Sequence, residues 1–134
     1  MVDASVALAW CFPDETSDFA DSVLLSLKGD WVSVPSIWPV EIANAVLVGE
    51  RRKRIKPVDV RRFEELLRSL TIVESSQTLA ETMANVVPLA REYKLSAYDA
   101  AYLDLALREK ATLATLDSSL QKAGRLAGVR IFTP

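Results

Sequence analysis

LSAYDAAYLDLA, residues 95–106, opens an almost wholly apolar helix, yet Asp99 stands in its first turn. Two readings of that carboxylate compete. Ser96 at the N-cap with an acid three residues later is close to a capping box, and a negative charge there complements the helix dipole. The other reading makes Asp99 one of several acids that jointly hold a metal ion.

Working outward from this helix, short strand-like pieces alternate with helical ones. The strand candidates are 1–3, 31–34, 71–73, 112–115 and 130–132, each brief and rich in β-branched or apolar residues. Helices are expected at 5–10, 16–27, 39–52, 57–69, 77–86, 97–109 and 118–126. Pro39 and Pro57 suit first helical positions, Ser96 and Asp117 suit N-caps, and Gly128 suits a helix end. Strands separated by helices imply crossover connections, hence a mainly parallel central sheet flanked by helices, a three-layer α/β sandwich. Ligands of such folds bind beyond the carboxyl ends of the strands.

At 134 residues, with half of them hydrophobic and a quarter charged, the chain has the size and mix of one compact domain spanning 1–134. No repeat or low-complexity linker divides it. The single cysteine, Cys11, cannot form an internal disulfide. An acid at position 3, no basic leader and an early Pro13 argue against a signal peptide or a membrane span, so a cytoplasmic protein is expected. Histidine is absent. That excludes Ser-His-Asp and Cys-His nucleophiles, a histidine general base and an imidazole zinc site. Any metal is held by oxygens, which favours Mg2+ or Mn2+.

Four acids fall at the sheet edge where ligands bind. Asp3 closes the first strand, Asp117 follows the strand TLAT, and Glu41 and Asp99 lie in first helical turns. Each alone has a capping explanation. Together, with no histidine and little basic charge nearby, they repel one another unless a cation is present. A hard divalent ion keeps several waters and activates one toward a phosphodiester. Ser5 and Thr115, each two residues from one of these acids, either support the site or cap locally. Asp104, about 140° around the helix from Asp99, belongs to another face and is expected to be solvated or paired. Asp14 and Glu15 are expected to cap the next helix.

With these residues assembled, the chain resembles PIN domains, and among them the VapC-like toxins of toxin–antitoxin pairs. VDASVALAWCFPDE (2–15), VPSIWPVEIANAV (34–46), LSAYDAAYLDLA (95–106) and LATLDSSLQKAGRLAGVRIF (113–132) carry the resemblance. It implies a PIN-like fold and a metal-dependent endoribonuclease. Asp3 and Asp99 would be the principal metal ligands, Glu41 and Asp117 would complete the acidic site directly or through water, and Ser5 and Thr115 would support it. It also implies an RNA substrate, a cognate antitoxin and a homodimer. Ser118, Ser119 and Leu120 stand where some relatives carry a further acid, which bears on a second metal position.

RRKRIK, residues 51–56, holds five of the sixteen basic residues. Arg51, Arg52, Lys53 and Arg54 are candidates for RNA phosphate contacts, with Arg61 and Arg62 extending the patch; a solvated turn is the alternative. Trp10, Trp31 and Trp38 are expected in the core, and apolar area on the first helices suits an antitoxin helix or a second subunit. Two other classes compete with a nuclease. A receiver-like phosphoacceptor domain also gathers acids at a sheet edge, but WVSVPS and TIVESS offer no strand-end Asp and the later strands no Lys. A non-catalytic binding module would use its acids only as caps.

Overall fold

The computed structural model describes residues 1–134. The elements run α1 (Ala4–Cys11), α2 (Asp18–Ser26), β1 (Trp31–Pro35), α3 (Trp38–Arg51), α4 (Pro57–Ser69), β2 (Thr71–Ser75), the short α5 (Leu79–Glu81), a π turn (Thr82–Val86), α6 (Val87–Tyr93), α7 (Ala97–Glu109) and α8 (Ser118–Leu126). β1 and β2 pair in parallel, Trp31 opposite Thr71 through Pro35 opposite Ser75. The architecture is α/β, with a short parallel sheet flanked by helices.

Three of the five expected strands shrink to single parallel bridges, Val2 to Ala114 and Leu113 to Ile131. The cause is local. Asp3 is already the N-cap of α1, so the opening segment has room for only a few ladder bonds: Met1 Nα to Thr112 O, Ala114 N to Met1 O and Asp3 N to Ala114 O, all within 3.0 Å.

α1 explains much of the packing. Its sequence is apolar on nearly all sides, as a helix buried all round requires. Ala4, Ala7 and Cys11 face the larger core cluster with Val34, Trp38, Ile42, Phe63, Tyr102 and Leu103, while Val6 and Ala9 face a second cluster with Val2, Ala20, Val23, Val32 and Ala114. Its one early hydroxyl, Ser5, lies beside the Asp3 carboxylate.

Several local expectations change. α2 is capped by Ser17, whose Oγ accepts from Ala20 N at 3.1 Å. Asp14 and Glu15, expected as caps, instead bind Arg54 at 2.8 and 2.6 Å. The helix expected to stop at Val86 is only one turn before a π turn and then runs on to Tyr93. Pro88 does not end it because it sits in the first turn of α6, where its missing N–H removes little. Lys94, in the left-handed region at φ 55°, closes α6. Gly128, at φ 80°, occupies the left-handed turn after α8 that favours glycine.

Trp31 is 56% exposed at the start of edge strand β1, contrary to the core expectation. Trp10 is half-buried and donates Nε1–H to Ala20 O; Trp38 is buried with Nε1 unpartnered. No helix is long and apolar enough to cross a membrane.

Candidate active site

Asp3 is placed by two backbone events: its N–H ends the pairing with Ala114, and its carbonyl starts α1 by accepting from Val6 N and Ala7 N. Its side chain does no N-capping. Instead Oδ2 accepts from Ser5 Oγ and from Thr115 Oγ1, both at 2.6 Å. At 6% exposure, burial pushes this carboxyl above its usual range. The two hydroxyls and the Ala4 N–H oppose that shift, while the charge of Asp99 adds to it.

Glu41, half-buried in the first turn of α3, accepts a hydrogen bond at Oε2 from the Tyr102 hydroxyl of α7. Burial again raises its pKa; the Tyr102 bond opposes, and Asp3 and Asp99 push it further up. Burial, then the bond to Glu41, raises the Tyr102 phenol, so it remains a donor. Asp99 is held by Ser96, whose Oγ accepts from Asp99 N at 3.0 Å and donates to Oδ2 at 2.6 Å. The cap and the exposed carboxylate oxygen therefore coexist in one residue. Asp117 is a true N-cap: Oδ1 accepts from Leu120 N at 2.7 Å. Its N–H donates to Thr115 Oγ1 at 3.0 Å, so Thr115 links Asp117 to Asp3. Ser5 Oγ likewise accepts from Leu116 N.

The charge of Asp99 thus reaches both Asp3 and Glu41, and that of Asp3 reaches Glu41, whereas Asp117 joins them through a hydroxyl bridge. No lysine or arginine contributes to the shifts of Asp3 or Glu41. Each of the four carboxylates spends one oxygen on a side-chain or capping bond and leaves the other without one. No three acids stand close enough to ligate one ion directly. Ser96, expected as the N-cap, also positions Asp99; Tyr102 is a positioning residue that the sequence reading did not single out, although its place three residues after Asp99 on the same helix face could have revealed it.

The basic run divides. Arg51, Arg52 and Lys53 are exposed and make no ion pair. Arg54 serves the fold instead, bound to Asp14 and Glu15 with its guanidinium 4.6 Å from the Phe12 ring centre. Arg51 lies ten residues beyond Glu41, about 15 Å along α3. Asp104 is paired, as one of its two expected states: Oδ2 takes Arg108 Nε and the Gln77 amide.

A model of the PIN domain matches residues 1–126. The chain belongs to the PIN domain family. PIN domains are in general metal-dependent nucleases. Among solved structures, this PIN domain is similar to PAE2754 from Pyrobaculum aerophilum, with a TM-score of 0.67 and 24% identity, covering 91% of this chain and 83% of that one. At that identity the likeness shows the fold. No curated protein matches the chain.

The donor set of this PIN domain fits a hard divalent cation. It is all oxygen, each carboxylate is pre-oriented by at least one hydrogen bond, and its repulsion has no basic counter-charge. Because Mg2+ is ordinarily held by one or two carboxylates with waters completing the shell, the lack of three converging acids is compatible with such an ion.

Proposed function

We propose that this PIN domain is a Mg2+- or Mn2+-dependent endoribonuclease and the toxin of a toxin–antitoxin pair, acting in the cytoplasm. The observation that carries the proposal is a trio of carboxylates, in which Asp99 raises the pKa of Asp3 and both raise that of Glu41, with no cation of the chain beside them. A divalent ion at such a site supplies an activated water and stabilises charge developing on the phosphoryl oxygens.

The chain's own residues prepare that chemistry. Ser5 and Thr115 fix Asp3 Oδ2, so that Oδ1 is the oxygen offered to an ion; Ser96 does the same for Asp99. Tyr102 aims Glu41, leaving Oε1 for an ion or its waters. Asp117, exposed at the start of α8, completes the acidic rim. Ser118, Ser119 and Leu120 add no acid there, which favours one firmly held ion. Arg51, Arg52 and Lys53 are the candidate phosphate contacts for RNA away from the acids. Exposed apolar side chains on the helices, Leu25, Val40 and Leu47 among them, suit an antitoxin or a second subunit in a homodimer.

Cleavage of single-stranded RNA in Mn2+ tests the proposal. Activity is expected to vanish in EDTA and in Asp99→Asn, with the melting curve of the variant retained. Expression of the wild type is expected to arrest growth of a bacterial host, and Asp99→Asn to relieve it. Full cleavage in EDTA, or by Asp99→Asn, would overturn the assignment; cleavage without growth arrest would leave a nuclease that is not a toxin.

A further inference from the structure

On the side of α7 away from Asp99, a cavity of about 210 Å³ lies between the ends of β1 and β2, the π turn and the first turns of α7. Ser36, Ser75, Thr82, Tyr98, Ala101 and Arg108 are among its lining residues. Ala101 follows Asp99 by two positions, about 200° around the helix, so the cavity and the acids flank the same helical turn from opposite sides. The separating turn, Ser96 to Tyr98, is exposed.

Arg108 is held there in a defined way. Its Nε donates to Asp104 Oδ2 at 2.8 Å, and the same oxygen accepts the Gln77 amide at 2.7 Å. Asp104 is 4% exposed, so the carboxylate that anchors Arg108 is itself fixed inside the fold. Both terminal amines of Arg108 are left without a hydrogen bond or ion pair.

The charge balance decides what those amines can read. Asp104 neutralises the guanidinium, and Glu81, tied to Thr78 N and Oγ1, lies near enough to interact with Arg108 as well. A phosphate would therefore enter net negative surroundings. A neutral pair of acceptors would not, and the arginine fork matches the O6 and N7 acceptors of guanine. Tyr98, 60% exposed among the lining residues, offers a ring on which a base can stack. The volume is below the ~300–1,000 Å³ of sites for drug-sized ligands, which suits one base.

We infer that this cavity is a guanine-binding subsite, with Arg108 reading the base edge and Tyr98 stacking on it. The inference rests on the nuclease reading, because a single RNA strand lying over the acids carries a neighbouring nucleotide across the exposed Ser96–Tyr98 turn.

The test is titration of the full chain with guanosine, adenosine, cytidine, uridine and inorganic phosphate in EDTA, where no cleavage occurs, followed by amide chemical shifts. Guanosine is expected to bind at least about tenfold more tightly than the other nucleosides. Arg108→Lys is expected to abolish the preference while keeping a charge beside Asp104, and Tyr98→Ala to weaken all nucleosides with an unchanged melting curve. Equal binding of all four nucleosides, no binding, or displacement of guanosine by phosphate would overturn the subsite. Guanosine preference in a chain that cleaves no RNA would sink the nuclease reading alone; cleavage with no guanosine preference would sink the subsite alone.

Discussion

Tyr102, fully buried on α7, donates its phenolic proton to Glu41 on α3, joining two residues 61 positions apart. The bond does two things. It ties the start of α3 to α7, and it fixes which carboxylate oxygen of Glu41 remains available to an ion.

Tyr102→Phe separates these roles, because the ring keeps its packing and only the hydroxyl is lost. A hydrogen bond to a charged group contributes about 1.5–3 kcal/mol, and the half exposure of Glu41 places the loss toward the lower figure. Supporting partners of metal ligands typically alter affinity or activity by ~10–100-fold. The variant is expected to fold, to unfold at slightly lower urea, and to need more Mn2+ for half-maximal cleavage. Wild-type manganese dependence in a folded Tyr102→Phe would show that Glu41 does not need this donor.

The raised pKa values of Asp3 and Glu41 fix the sign of a pH effect. A carboxyl whose folded pKa lies above its unfolded value binds protons more tightly when folded, so its contribution to stability falls as pH rises from the ordinary carboxylate range, ~4, through the raised value. Asp3→Asn keeps an oxygen to accept from Ser5 and Thr115 but cannot ionise. In EDTA the stability difference between the variant and the wild type is expected to grow in favour of the variant across that window. Saturating Mn2+ should reverse the order at neutral pH, since an ion at 100 times its Kd stabilises by about 2.7 kcal/mol. A difference that does not vary with pH in urea titrations at pH 4 to 8 would mean that Asp3 ionises as freely folded as unfolded.

The element boundaries that were legible in the sequence share a physical cause. Asp3, Asp99 and Asp117 sit at boundaries between strands or loops and helices, and boundaries are written locally, in caps, prolines and breaks of apolar runs. α4, α7 and α8 follow the expected limits for the same reason. What stayed hidden depends on distant partners. Nothing near position 54 announces that Asp14 and Glu15 will take Arg54 forty residues away, and nothing near Trp31 announces an edge strand that leaves it exposed. The helix expected over 77–86 runs on past Pro88, which lies in the first turn of α6. The chemistry at Asp99 was undecidable between cap and ligand because the Ser96 bonds serve the first without consuming the second oxygen.

The division within RRKRIK is testable by salt. Arg51→Gln, Arg52→Gln and Lys53→Gln are expected to weaken RNA binding without regard to sequence, each lowering the slope of log K against log salt by about 0.7 for a single strand. Arg54→Gln should leave the slope near wild type and instead lower the melting temperature slightly, less so at high salt, since its partners are surface carboxylates. A loss of about 0.7 from the slope by Arg54→Gln, measured by filter binding across a salt series, would return Arg54 to the RNA surface.

Gly49 supplies the sharpest packing test, because helix propensity and contact point in opposite directions. In a helix interior alanine ordinarily exceeds glycine by about 0.5–1 kcal/mol. Here a Cβ would stand 2.5 Å from Phe12 Cε1, 2.8 Å from Cζ and 3.2 Å from Ile55 Cδ1. Phe12 and Ile55 are both buried, and Phe12 also carries the Arg54 guanidinium over its ring, so neither can yield without disturbing the junction of α1, α3 and the basic turn. Overpacking of this kind typically costs about 1–3 kcal/mol, which outweighs the propensity gain. Gly49→Ala is expected to lower stability in urea titration while leaving the Mn2+ dependence of cleavage intact, since Glu41 lies two helical turns away. A more stable Gly49→Ala would mean that Phe12 moves aside freely and that the close approach of α3 to it is not what requires glycine.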